Sequence, residues 1–87
     1  MSRVVLYHAP GCHLCDAALE VVAAARDELG FELELVDISG DLALEAAYRE
    51  LLPVVEIDGE QAFTYFVQPD ALRERLLRHD SGGVGNM

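Results

Sequence analysis

The chain predicts an α/β fold of element order βαβαββα, a four-stranded mixed sheet with helices on both faces, and three observations predict it. An apolar run, Arg3-Val4-Val5-Leu6-Tyr7, passes through a turn into a helical pattern. An alternating stretch and a second helical pattern follow. A short run, Val54-Val55-Glu56-Ile57, then folds back through Asp58-Gly59. A strand–helix–strand crossover is right-handed and leaves its strands parallel, whereas a two-residue hairpin leaves its strands antiparallel. The first strand should be central and the second an edge.

Each element has its own reason. Residues 3–8 form a continuous apolar run, as suits a central strand covered on both faces. A helix is expected from Cys15 to about Leu29, with Leu19, Val22 and Ala23 inward, Arg26 on the polar side and Gly30 as the stop. Residues 31–38 alternate, with Phe31, Leu33 and Leu35 on one side and Glu32 and Glu34 on the other, the pattern of an edge with one covered face. A second helix should run from Leu42 to about Leu51 and end before Pro53. Asp58-Gly59 is a strong hairpin signal, with Ala62 to Val67 as the returning strand. Pro69 opens a last helix to about His79, with Leu72, Leu76 and Leu77 inward, Arg73, Arg75 and Arg78 outward, and a basic last turn. Residues 1–79 thus form one domain, and residues 80–87, rich in glycine, are expected as a flexible tail.

Composition narrows the function classes. The chain has 87 residues, enough for one modest core, and 52% of them are hydrophobic against 25% charged. Sixteen acids face six basic residues, all of them Arg, for a formal charge of −10. Such a field repels nucleic acid and anionic membrane surfaces, so neither is an expected partner. The absence of Lys removes Schiff-base and P-loop chemistry. No apolar run is long enough to span a bilayer, and the N-terminus lacks the layout of a signal peptide. The expected compartment is the cytoplasm, where a cysteine pair is more often catalytic or metal-binding than a structural staple.

The chemistry rests on Cys12-His13-Leu14-Cys15, which holds the only two cysteines. A strand that delivers two thiols to the first turn of a helix sets the first sulfur against unpaired backbone N–H groups and the positive helix pole. Thiolate, the reactive form, is favoured there. The second sulfur lies on the same helix face, within reach of a disulfide. His13 could steady a thiolate, although an imidazolium opposes the helix dipole and a neutral, solvent-facing ring fits as well. His8, Cys12, His13 and Cys15 form a nominal zinc set, but such closely spaced positions cannot all converge on one ion, so no metal site is expected.

The stretch from Val4 to Cys15 resembles the active-site strand and loop of glutaredoxins, in the thioredoxin superfamily. Leu52-Pro53-Val54 falls where that superfamily keeps a cis-proline facing its cysteines, and Ile57-Asp58-Gly59 matches the following hairpin. The likeness covers residues 3 to about 79. A lone C-x-x-C is a weak motif; one placed after a strand, with this proline segment about forty residues later, is strong. The Cys-x-Leu-Cys-Asp-x-Ala variant resembles small bacterial glutaredoxin-like proteins.

The resemblance implies a thioredoxin-like, glutaredoxin-type fold, with Cys12 attacking and Cys15 resolving. It also implies that Leu52, Pro53, Val54 and His13 bind substrate, and that the Leu52–Pro53 bond is cis. Three departures concern glutathione. Ala9 and Pro10 stand where glutaredoxins usually carry a cation, Leu51-Leu52 replaces their Thr-Val, and Phe63 to Phe66 replaces their Gly-Gly-x-Asp. No cofactor is therefore expected, and glutathione should be a poor ligand.

Two functions from different classes follow. One is thiol–disulfide exchange on protein or small-molecule disulfides by a monomeric enzyme. The other is a binding module that docks partner peptides along the Pro53 edge and is redox-active only incidentally. Reduction of a simple disulfide at a measurable rate separates them.

Overall fold

The structure, a computed structural model, describes residues 2–85, with side chains through Arg78. Four strands, β1 (Arg3–His8), β2 (Glu32–Asp37), β3 (Val54–Ile57) and β4 (Glu60–Thr64), form one sheet in the order β2-β1-β3-β4. The helices are α1 (His13–Leu29), α2 (Leu42–Tyr48) and α3 (Pro69–Gly85), with a single 3₁₀ turn at Arg49–Leu51. β1 pairs parallel with β2 and antiparallel with β3, and β3 pairs antiparallel with β4. The predicted order, central strand and edge strand are all present.

Strand alternation assigns the two faces. Val4 and Leu6 of β1 share a face with Val55 and Ile57 of β3, and all four are buried. Against them lie Ala18 and Val22 of α1 and Leu72 and Leu76 of α3, which complete the core. The opposite face carries Val5, Tyr7, Val54 and Glu56, and α2 reaches it through Tyr48. Helices therefore sit on both faces, but unequally. α2 has seven residues, about 10 Å of helix, and none of them is buried. Val5 and Tyr7 are accordingly only half-buried, not covered as the apolar run implied.

Several local expectations shift for identifiable reasons. α1 begins at His13 rather than Cys15, because Cys12 itself is the N-cap. Its buried stripe is Cys15, Ala18 and Val22, while Leu19 and Ala23 are half-buried. The buried three recur at i, i+3 and i+7 and so form one line down the helix, with Leu19 and Ala23 each one residue round from it. Leu35 is 47% exposed although it pairs with buried Leu6, because β2 is the edge of the sheet and no strand flanks it on its outer side.

α2 stops at Tyr48, three residues short of expectation, and the chain tightens into the 3₁₀ turn before Pro53. β4 starts at once after Asp58 (φ 51) and Gly59 (φ 88), whose positive φ values suit the tight hairpin. Phe63 pairs with Val55 and Gln61 with Glu56, so Ala62 bulges, and the strand ends at Thr64 instead of Val67. In α3, Leu72 and Leu76 point inward, but Leu77, one residue round the helix, is 50% exposed. The helix continues through Gly85, since no proline halts it after Pro69. The last turn therefore carries no basic residue, and the expected tail falls partly on this helix and partly outside the described residues.

Candidate functional site

β1 ends at His8, and the chain turns through Pro10 and Gly11 into α1. Gly11 has φ 77, a left-handed conformation that a residue with a Cβ adopts only at a cost. That turn delivers Cys12 to the N-cap with extended backbone (φ −95, ψ 104). The Cys12 carbonyl accepts from the Asp16 N–H at 3.1 Å, the first bond of the helix ladder. Its Sγ accepts from the Cys15 N–H at 3.1 Å, the place a Ser or Asp oxygen takes in an ordinary cap. Cys12 and Cys15 are joined by a disulfide with their Cα atoms 5.1 Å apart. Cys12 is half-buried, whereas Cys15 is 3% exposed and forms part of the inner face of α1. The two sulfurs thus share a bond and differ in access.

The proline segment lies at the same end of the sheet. Val54 is the register partner of Tyr7, so the antiparallel pairing brings Pro53 opposite His8, where β1 leaves for the cysteine loop. The Leu52–Pro53 bond is cis. Pro53 and Val54 are buried and Leu52 is half-buried. The Pro53 carbonyl accepts from the Tyr65 N–H at 3.0 Å, which ties the loop after β4 to the proline. His13 opens α1 and is exposed. Among the described residues, no three His, Cys, Asp or Glu side chains are grouped to hold a metal ion.

The family profile described as Glutaredoxin-like domain (DUF836) matches residues 3–77, nearly the whole described chain. The chain belongs to this glutaredoxin-like family. An uncharacterized protein of Mycobacterium tuberculosis is 33% identical over 89 residues, covering 94% of this chain and 92% of its own length. The X-ray structure of a protein from X. campestris superposes with a TM-score of 0.71 at 35% identity, over 84% of this chain and 93% of that one. Thioredoxin-2 of the malaria parasite, described as a component of its protein secretion machinery, superposes with a TM-score of 0.73 over 91% of this chain and 84% of its own. At 17% identity that likeness shows the thioredoxin fold alone.

The glutaredoxin-like domain also holds a polar cluster that sequence reading did not find. On the α2 face, Glu56 accepts from the Tyr48 hydroxyl at 3.0 Å and from the Tyr7 hydroxyl at 3.3 Å. The two rings lie 4.5 Å apart at 31°. Burial first, and then the negative charge of Glu56, pushes the Tyr7 phenol up to about 12, because ionisation would set an anion beside a carboxylate. Tyr48 is raised as well, with burial again the leading cause. Both phenols therefore serve as neutral donors across the accessible pH range. The one sequence signal was Glu56 itself, a charge inside Val-Val-Glu-Ile on a strand next to the centre of the sheet. No helix of the domain is long and apolar enough to cross a membrane, among the described residues.

Proposed function

We propose that this glutaredoxin-like domain is a cytoplasmic thiol–disulfide oxidoreductase that works by dithiol exchange. The observation that carries the reading is the unequal exposure of a bonded cysteine pair at a helix N-cap. In the reduced form the Cys12 thiolate attacks one sulfur of a substrate disulfide. A Cys12–substrate disulfide forms, the substrate S–S bond breaks, and the first substrate thiolate leaves. The Cys15 thiolate then attacks Cys12 Sγ, which closes the Cys12–Cys15 disulfide and releases the second substrate thiolate. Protons given up by Cys12 and Cys15 end on the two released thiols, so the substrate gains two electrons and the protein loses two.

The cap geometry supports these roles. The Cys15 N–H is aimed at Cys12 Sγ, as a donor to a thiolate would be. Cys15 is reachable chiefly through Cys12, so a mixed disulfide formed outside is resolved from inside. Leu52, Pro53 and Val54 serve in this reading as the docking edge for the substrate chain, and the working unit is a monomer.

The test is exchange between pre-reduced protein and bis(2-hydroxyethyl) disulfide. Cys12→Ser should abolish it, and Cys15→Ser should halt at a mixed disulfide on Cys12, visible as a mass increase. Full activity in Cys12→Ser, or a mixed disulfide trapped on Cys15, would reject the roles assigned here.

A further inference from the structure

A groove of about 290 Å³ lies between the first turns of α1 and the chain that leads into α3. Leu14, from within the cysteine motif, begins its floor, which Ala17 and Val21 continue. Tyr65 and Phe66 form the wall, and Pro69 stands at the far side. Phe66 is 69% exposed and Tyr65 43%, an unusual outlay of aromatic surface for so small a chain. The wall is held in place. Tyr65 takes a left-handed φ of 67, rare for an aromatic residue, and its N–H is bonded to the Pro53 carbonyl. The groove is thus tied to the proline on one side and to the cysteine turn on the other.

Across Val21 and Pro69 it continues into a second trough of about 350 Å³ between α1 and α3. Ala24 and Ala25 floor this part, and its rim carries the exposed carboxylates of Glu20 and Asp70. The ion pair between Glu28 and Arg73 stands at its far end and neutralises the one cation there. From Leu14 to Ala24 the helix rises about 15 Å, the length of roughly four to five residues of extended chain. Glu20 lies about 9 Å along, some three residues from the cysteine end.

We propose that this continuous groove is the subsite for the polypeptide flanking the attacked cysteine. It selects protein disulfides with an apolar residue beside that cysteine and cationic residues three to four positions away. The inference rests on the exchange reading above and names its substrate class. Three observations favour this occupant. The apolar half starts at Leu14, inside the cysteine motif, and is tied to Pro53 through Tyr65, so it opens from the turn at which a substrate cysteine would be attacked. The charged half is acidic, in a chain of net charge −10. Its length suits a peptide segment, whereas glutathione, a short anionic tripeptide, would leave the apolar wall uncovered and meet like charge.

The test is single-turnover exchange between the pre-reduced full chain and synthetic peptides, each with one cysteine capped by 2-mercaptoethanol. Cys12 attacks the peptide sulfur, expels mercaptoethanol, and Cys15 then frees the peptide, so no further reductant is consumed. The peptides carry Leu or Ser beside the cysteine and two Arg or two Glu three and four positions away, made in both chain directions. The Leu/Arg peptide, in one direction, should reach half-saturation at about tenfold lower concentration than the Ser/Glu peptide. About 0.5 M salt should erase the Arg-over-Glu part of that ratio and leave the Leu-over-Ser part.

Ala17→Leu, which fills the floor, should collapse the Leu-over-Ser ratio, and Glu20→Gln should reduce the Arg-over-Glu ratio. Equal half-saturation for all peptides, or ratios untouched by both substitutions, overturns the groove proposal. If bis(2-hydroxyethyl) disulfide is still exchanged in that case, the oxidoreductase reading stands alone. If neither peptide nor small disulfide reacts, both fall together.

Discussion

Tyr48 is the fastener of α2. The helix has no buried residue, and Leu42 at its start is 84% exposed, so little apolar burial holds it to the sheet. Its attachment runs through the Tyr48 ring on Tyr7 and the Tyr48 hydroxyl on Glu56. Tyr48→Phe removes only the hydroxyl. A hydrogen bond to a carboxylate is worth about 1.5–3 kcal/mol when buried, and partial exposure lowers that to about 1 kcal/mol. Tyr48→Ala also loses the ring pair, about 0.5–1.5 kcal/mol, and half of a ring's burial, about 1 kcal/mol. The expected losses are thus about 1 kcal/mol for Phe and about 3 kcal/mol for Ala, large against a total of roughly 5–15 kcal/mol.

Urea unfolding followed by far-ultraviolet circular dichroism measures both losses. Native-state hydrogen exchange should show amides of 43–48 opening faster in Tyr48→Ala, with β1 much less affected, because α2 can detach before the core opens. Equal losses for the two variants would mean the ring contributes nothing. Unchanged exchange in α2 would mean other contacts hold the helix. Either result refutes the reasoning.

Three further outcomes follow from the same geometry. Limiting iodoacetamide at neutral pH should label Cys12 of the reduced protein well before Cys15, as mass mapping would show; preferential labelling of Cys15 reverses their roles. Tyr7 ionises at about 12 in the fold against the usual 10, so its stabilising contribution is intact below about pH 10 and is lost as pH rises toward 12. Ultraviolet titration of wild type against Tyr7→Phe checks this, and a folded-state Tyr7 that ionises at an ordinary value contradicts the burial and the Glu56 charge that raise it. Leu72→Ala, at a side chain 0% exposed, should cost about 2–5 kcal/mol, whereas Leu77→Ala should stay within about 0.5 kcal/mol. Similar unfolding midpoints for the two would dismiss the inward assignment.

What the sequence made legible was local. β1, the hairpin at Asp58-Gly59 and the cysteine turn each declare themselves within a few residues, and the crossover rule supplies the sheet order from them. The cis Leu52–Pro53 bond came from the resemblance, which saw the segment as a unit. What escaped depends on partners far apart in the chain. Tyr7 and Glu56 are 49 residues apart, and nothing near either announces the other. The groove is similar: Leu14 and Phe66 lie far apart in the chain, and nothing marks them as neighbours until α1 and the β4–α3 loop are set side by side. Periodicity sets Leu35 and Leu77 inward because it tells which side a residue takes, not how completely that side is covered.

The cross-link joins residues only three apart in the chain. By loop-closure arithmetic so small a ring restrains the unfolded polypeptide by about 2 kcal/mol, against about 4.7 kcal/mol for a hundred-residue loop. The packed cluster of Val4, Leu6, Val22, Val55, Leu72 and their neighbours is assembled without either sulfur. The packed core is therefore nearly independent of the cross-link. The ring it closes is confined to the start of α1, and none of that cluster belongs to it. Under the exchange reading proposed above, a partner would sense the state of the pair at the cysteine turn, where the bond lies.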